Sequence, residues 1–292
     1  MEKTKTTEKK VNVDIFVKWI MFTAAITGLA ILAALYPIQG NVPFIVIPSI
    51  LVLIFSKPVF FERMKLTTLV VMRIVIIGAA LRLFNPQVYV DMILLALIIN
   101  ILEATFTDLL RYKKYFNAIS GFALAIGVVA LHGAWQYAAP LGDYYLVHGA
   151  LPIATVLYAL AYTIWNWIFV SNEFSSSVAL MHVGFLGAPL LGSVCTLGFG
   201  PFGGIGLWLL LRANSLAIGG WMQIAAKDWF EKEFYNEKFD KFVQWTKQTP
   251  VQVVCMIVNV ALIVACFVIM MQNGGFHYDF PEFAVPAEAL LK

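Results

Sequence analysis

The residues that could do chemistry in this chain crowd onto one stretch, 88–111, where Asn100, Glu103, Thr107, Asp108 and Arg111 interrupt an apolar run. At 100° per residue these five fall within roughly 140° of a helix surface, a polar stripe on a greasy rod. A carboxylate inside a bilayer costs about 2.5–3.5 kcal/mol on insertion scales, so a chain that keeps one there pairs it or uses it. Glu103 lies seven residues from the basic end of its run, ~10 Å deep at the helical rise. Arg73, in the preceding apolar run, comes out at the same ~10 Å. The expectation is a buried Arg73–Glu103 ion pair, which either lines a pathway or simply pins two helices together.

Other polar groups reach the same layer. His182 and Asn166 lie a few residues inside their apolar runs, and Tyr162, Asn166 and Glu173 share one helical face. Asp108, Glu173 and Asn214 sit near the inner boundary. Together they describe a polar pocket opening to the cytoplasmic leaflet. Blander readings exist for each. A lone helical histidine is more often a satisfied hydrogen-bonding residue than a ligand. Asp108 and Glu173 can be solvated helix ends, and the aromatics around Tyr162 suit packing and the interfacial belt. If Glu103, Asp108, Glu173 and His182 act together as metal ligands, three carboxylates with one imidazole suit Mg, Mn or Fe better than Zn.

The elements that must position these residues are membrane spans. The chain of 292 residues is 61% hydrophobic and 13% charged, with mean hydropathy +0.81. Soluble domains carry about 25% charged residues, so the fold class is an all-α, polytopic transmembrane helix bundle. Apolar runs at 15–36, 43–55, 66–84, 88–111, 115–139, 150–171, 176–196, 197–211 and 251–271 give about nine spans. The run at 43–55 is thin for a ~30 Å core. The run at 197–211 is crowded with glycine, which permits either close packing or a broken helix. The run at 15–36 is longer than the ~7–15 residue core of a signal peptide, so it reads as a span. Residues 1–14 form a polar cytoplasmic tail, 15–271 the transmembrane domain and 272–292 an extracytoplasmic tail. Residues 228–245 alternate charge with Phe230, Phe234, Phe239 and Phe242 and predict one amphipathic helix on the cytoplasmic surface.

Charge placement orients the bundle. With nine spans and the N-terminus inside, only Arg82 and Lys292 lie outside and Arg73 in the membrane. The rest of the 20 Lys and Arg fall inside, Arg212 among them in the loop after the eighth span. The expected location is a bacterial inner membrane, N-terminus cytoplasmic and C-terminus extracytoplasmic.

Several chemistries find no residues. No G-x-x-x-x-G-K-[ST] and no H-E-x-x-H occurs, and the basic residues are juxtamembrane, without support for nucleic-acid binding. Cys195, Cys255 and Cys266 sit in apolar runs without metal-type spacing. Three functions remain. The first is a transporter of a small polar or amphipathic solute, with Glu103 available for proton coupling. The second is a membrane-embedded enzyme acting on a lipid or isoprenoid at the inner leaflet, with a divalent metal or by acid–base chemistry. The third is a non-catalytic subunit of a membrane complex. Expected partners are membrane lipids, the solute or lipid substrate, and a second copy or another membrane protein.

Overall fold

The computed structural model describes residues 2–56, 58–83, 85–130, 135–138, 146–149 and 151–273. The helices are α1 (Glu2–Leu35), α2 (Pro37–Asn41), α3 (Ile47–Phe55), α4 (Phe60–Ala80), α5 (Pro86–Phe106), α6 (Tyr115–Ala130), α7 (Pro152–Glu173), α8 (Ser176–Cys195), α9 (Trp208–Ala225), α10 (Lys227–Glu233), α11 (Glu237–Thr246) and α12 (Thr249–Gln272). Two short strands, β1 (Trp135–Ala138) and β2 (Leu146–Gly149), pair antiparallel. Seven segments among the described residues are long and apolar enough to cross a bilayer. This is a multi-pass membrane protein.

The count of about nine spans is not reached by that standard. Helix α4 forms where the third run was expected, but Glu62, Arg63, Lys65 and Arg73 lower its apolarity. The apolar helix at Tyr115–Val129 is short, because the fifth run does not stay helical to Ala139. Residues 135–138 turn instead into β1. The tail at 274–292 lies outside the described residues. At the other terminus α1 runs from Glu2 to Leu35 and so takes in most of the polar segment.

The second run is longer than its apolar core. Proline has no N–H to lose in a first turn, so Pro37 opens α2 directly after Tyr36. A π-type turn at Val42–Val46 joins α2 to α3, making one 19-residue apolar segment, Pro37–Phe55. Gly40 does not break it. A Cβ there would meet the Ala33 Cα at 2.3 Å, so glycine is what lets α2 fold back against α1. Asn41 locks the hairpin by donating to the carbonyls of Ala33 (3.0 Å) and Pro37 (2.7 Å).

The glycine-rich run at 197–211 also shifts. Its first part forms 3-10 turns at Leu197–Phe202 and Gly204–Leu207, and the α-helix starts only at Trp208. Here the chain doubles back so closely that a Cβ on Gly203 would lie 1.8 Å from the Thr196 carbonyl oxygen, while Gly204 takes φ +69°. Only glycine meets both demands. The membrane segment therefore becomes Gly204–Ala225, about two turns later than expected.

The bundle packs α1 against α8 and α9, and α12 against α6 and α7, with α4 between α5, α2, α3 and α9. Its aromatic centre is Tyr158, Tyr162, Trp165 and Trp208, all buried; Tyr162 meets both tryptophans edge-on at 5.4–5.5 Å. Such pairs contribute about 0.5–1.5 kcal/mol each beyond area burial.

The single amphipathic helix expected at 228–245 is two helices. It breaks at Phe234–Asn236, where the Asn236 side chain accepts from the Phe239 N–H (3.0 Å) and caps α11. Phe230 and Phe234 do not face outward. They are buried and pack edge-on against Phe22 of α1. The exposed aromatics are Trp229, Tyr235, Phe242 and Trp245. Glu237 and Lys241 pair at 2.7 Å, and the shared hydrogen bond holds the carboxyl below its ordinary pKa and the amine above. Both groups are fully exposed, so the pair adds little to stability.

Candidate functional site

A cavity of about 270 Å³ opens at the basic end of the bundle. Five membrane helices and α10 wall it. The start of α4 contributes Glu62, Lys65, Leu66 and Leu69. The last turn after α5 gives Arg111 and Tyr112, and the end of α7 gives Glu173. Helix α8 adds His182 and Phe185, α9 adds Leu216, Gly220, Gln223 and Ile224, and α10 adds Lys227. Its lining sets three cations, Lys65, Arg111 and Lys227, beside two carboxylates, Glu62 and Glu173, among leucine, isoleucine and phenylalanine. That arrangement suits a molecule with an anionic head and an apolar body.

Local folding explains who arrives here. Glu62 accepts from the Val59 N–H (3.2 Å), so α4 starts early enough to place Lys65 one turn inside it. Lys65 then reaches over the Phe169 ring at 5.9 Å. The Lys113 backbone at φ 53° stops the π-type turn Thr107–Tyr112, which carries Arg111 to the rim. Ser175 caps α8 through the Val178 N–H, setting His182 two turns in. His182 stacks on Phe174 (5.0 Å between ring centroids) and its Nε2 bonds Gln223 Oε1 at 2.9 Å. Its Nδ1 is buried with no partner, as is Glu173 Oε2.

Two smaller pockets share lining residues with this cavity. The first, about 10 Å³, is lined by Lys65, Asn100, Glu103, Asn166 and Leu216 among others. The second, about 20 Å³, is lined by Asn100, Tyr162, Arg212 and Leu216 among others. Lys65 is common to the cavity and the first void, Asn100 to the two voids, and Leu216 to all three.

Comparison with known protein families, curated proteins and solved structures finds no match for this chain. The reading of the site rests on its geometry.

That geometry sorts the residues expected from sequence. Glu173 and His182 share the cavity, and Asn100, Glu103, Asn166 and Tyr162 line the voids behind it. Thr107 donates to the Glu103 carbonyl (2.9 Å), a bond within its own turn. Asp108 is buried and accepts from Asn117 of α6 at 2.6 Å, joining α5 to α6. Among the described residues no three His, Cys, Asp or Glu side chains gather as a metal site, so Glu103, Asp108, Glu173 and His182 do not form one coordination set. Electrostatic contact does link Glu173 with both Asp108 and Glu103.

The expected Arg73–Glu103 pair does not form. Arg73 is completely buried and faces α2 and α9 instead. Its Nη1 donates to Asn41 (3.2 Å) and to Asn214, and its Nη2 to the Ala213 carbonyl (3.0 Å) and Met72 Sδ (3.3 Å). Asn214 in turn donates to the Ala30 carbonyl at 3.1 Å. Arg73 and Asn214 thus belong to a knot joining α1, α2, α4 and α9, away from the cavity. Glu103 keeps one carboxylate oxygen buried without a hydrogen-bond partner, beside Lys65.

Arg212 was assigned to a basic loop and is instead buried inside α9. A run that seemed to end at Leu211 was a helix just beginning. Lys65, Gln223 and Lys227 were also missed. A helix started at Phe60 rather than Leu66 would have exposed the first. The other two depend on where α9 ends.

Proposed function

We propose that the chain is a carrier for a small amphipathic anion, which enters through the cavity at the basic end, and that this end faces the cytoplasm of a bacterial inner membrane. The observation that carries the reading is the chain of shared lining residues, Lys65, Leu216 and Asn100, that links the cavity to the smaller pockets beside it. The cavity rim holds Lys65, Arg111 and Lys227, and the lining then runs past Leu216 to Asn100, Asn166, Tyr162 and Arg212. An enzyme working on a lipid head at the surface needs the cavity alone. A carrier needs polar contacts that continue across the bundle. The orientation follows from the excess of Lys and Arg at one end.

The second reading, an enzyme acting on a lipid or isoprenoid, is favoured by one observation: Glu173 and His182 line the same cavity, an acid and a base within reach of one ligand.

Purified protein in liposomes separates the two. With radiolabelled hexyl phosphate as probe, the carrier reading expects saturable uptake above protein-free liposomes and recovery of the probe unchanged. Tight binding without any flux, in liposomes of both orientations, would sink it; release of free phosphate would favour the enzyme. Proton coupling, if the carrier uses it, belongs to Glu103, whose void also holds Lys65 and whose charge acts on Glu173. An imposed proton gradient should then change initial uptake in the wild type and not in Glu103→Gln. A cysteine placed at Lys113 should react with an impermeant thiol reagent only from the cytoplasmic side of cells.

A further inference from the structure

We infer that α8 is hinged at Pro189, and that the half of it which walls the cavity is held by a latch from α9. This deepens the carrier reading by assigning the wall that moves, yet its first readout is a distance and needs no transport.

The hinge begins with a missing donor. Proline has no N–H, so Pro189, inside α8, leaves the Phe185 carbonyl without the bond its own helix would supply. Sharp bends in helices gather at such sites. Gly187 adds to the effect. A Cβ there would meet nothing within 4 Å, so packing does not require glycine, and alanine would make the stiffer helix. Gly192 differs, because a Cβ on it would press on Leu211 at 3.0 Å. The chain thus keeps a glycine that no neighbour demands, just before a proline that opens the helix.

The latch is built from α9. The freed Phe185 carbonyl accepts from Ser215 Oγ at 3.1 Å and from Arg212 Nη1 at 3.4 Å. Ser215 has a single hydroxyl proton and two acceptors at the same 3.1 Å, the Phe185 carbonyl and the Arg212 carbonyl of its own helix. It can hold α8 or release it and keep a bond either way. The bond from Arg212 is at the long end of hydrogen bonding, so it holds weakly. The contact between the two helices is also close. A Cβ on Gly219 would lie 2.4 Å from the Phe185 ring, so the ring seats directly on the α9 backbone.

The half of α8 before Pro189 is the half that meets the ligand. His182 and Phe185, its contributions to the cavity, both lie there. Ser177 Oγ donates to the Glu231 carbonyl at 3.2 Å, which ties this half to α10 and so to Lys227 of the lining. From Ser176 to Pro189 the lever is ~20 Å long. A swing of about 20°, the threshold of a sharp kink, carries its end ~7 Å and changes the room between α8 and the other walls.

The test uses the whole protein in detergent, without ligand, with spin labels at Ser176 and Val254 and the three native cysteines replaced by serine. The wild type should show two populations of the distance between α8 and α12. Ser215→Ala, which removes one bond of the latch, should move the balance between them. Gly187→Ala with Pro189→Ala, which restores the helical bond to the Phe185 carbonyl, should merge them into one. Should that pair fail to fold, Gly187→Ala alone, whose methyl meets nothing, should narrow the distribution. A single narrow distance in the wild type, unmoved by Ser215→Ala and by Gly187→Ala, would overturn the hinge. In liposomes the stiffened protein should bind hexyl phosphate as the wild type does and take it up roughly tenfold more slowly. Two distance populations without any uptake by the wild type would keep the hinge and sink the carrier. Uptake by the stiffened protein at the wild-type rate would overturn the hinge as the moving part.

Discussion

Replacing Arg73 with leucine should lower the stability of the folded bundle by about 3 kcal/mol or more and sharply reduce folded yield. The substitution leaves the side-chain oxygens of Asn41 and Asn214 and the Ala213 carbonyl without their donor, deep among four helices. Each orphaned buried acceptor costs about 1–3 kcal/mol, and the relief of no longer burying a charge offsets part of the sum. Arg73→Lys keeps the charge but loses the planar fork that serves several acceptors at once, so it should fall between leucine and wild type. Thermal melts in detergent and size-exclusion profiles provide the measurement. A neutral Arg73→Leu would show that the knot is dispensable. The same protein allows a cycle with Glu103→Gln. Because Arg73 and Glu103 share no hydrogen bond, their effects should add to within about 0.5 kcal/mol. Strong coupling would restore the ion pair.

Reversing the rim charge should have the largest effect on ligand binding. Lys65→Glu with Arg111→Glu turns two of the three rim cations into anions while leaving the apolar floor untouched. At an effective dielectric near 20, a loss of about 2.8 kcal/mol is expected, roughly a hundredfold in the affinity for hexyl phosphate. Raising the salt concentration should shrink the difference, because the cavity is open. Lys238→Glu, on α11 and outside the cavity lining, controls for net charge and should change little. If the double reversal binds hexyl phosphate as the wild type does, the cavity is not an anion site.

Much of the fold was legible because long apolar runs have few alternatives. A segment such as 249–272 must be a helix in lipid, where backbone groups have no water to bond. Legibility failed where the chain's own chemistry competes with hydropathy. Glycines at 198–206 lower helix propensity enough that 3-10 turns win, which moved α9 and hid Arg212 inside it. Residues 228–245 have an amphipathic period, yet Phe230 and Phe234 find a better partner in Phe22 than in a lipid head group. The site shows the same division. That Glu173, His182, Asn166 and Glu103 lie at one end follows from counting residues along helices. Which helix each side chain turns toward does not. Arg73 and Glu103 share a depth, but Arg73 faces α2 and α9, and no one-dimensional pattern encodes the choice of neighbour.

The knot around Arg73 also has a history in time. Ribosomes deliver α1, α2 and α4 first, when the guanidinium has only Asn41 and its neighbour Met72 to satisfy it. Asn214 lies 141 residues further along the chain. At about 5–20 residues per second it emerges roughly 7–28 s later. During that interval a cation sits on a young helix without half of its acceptors, and its entry into lipid is uphill. Helix α4 therefore has reason to linger beside the insertion machinery, or ride high toward the head groups, until α9 arrives. Truncation before α9 leaves that wait without an end, and nascent chains of this protein that stop short of residue 214 become natural targets for membrane quality-control proteases.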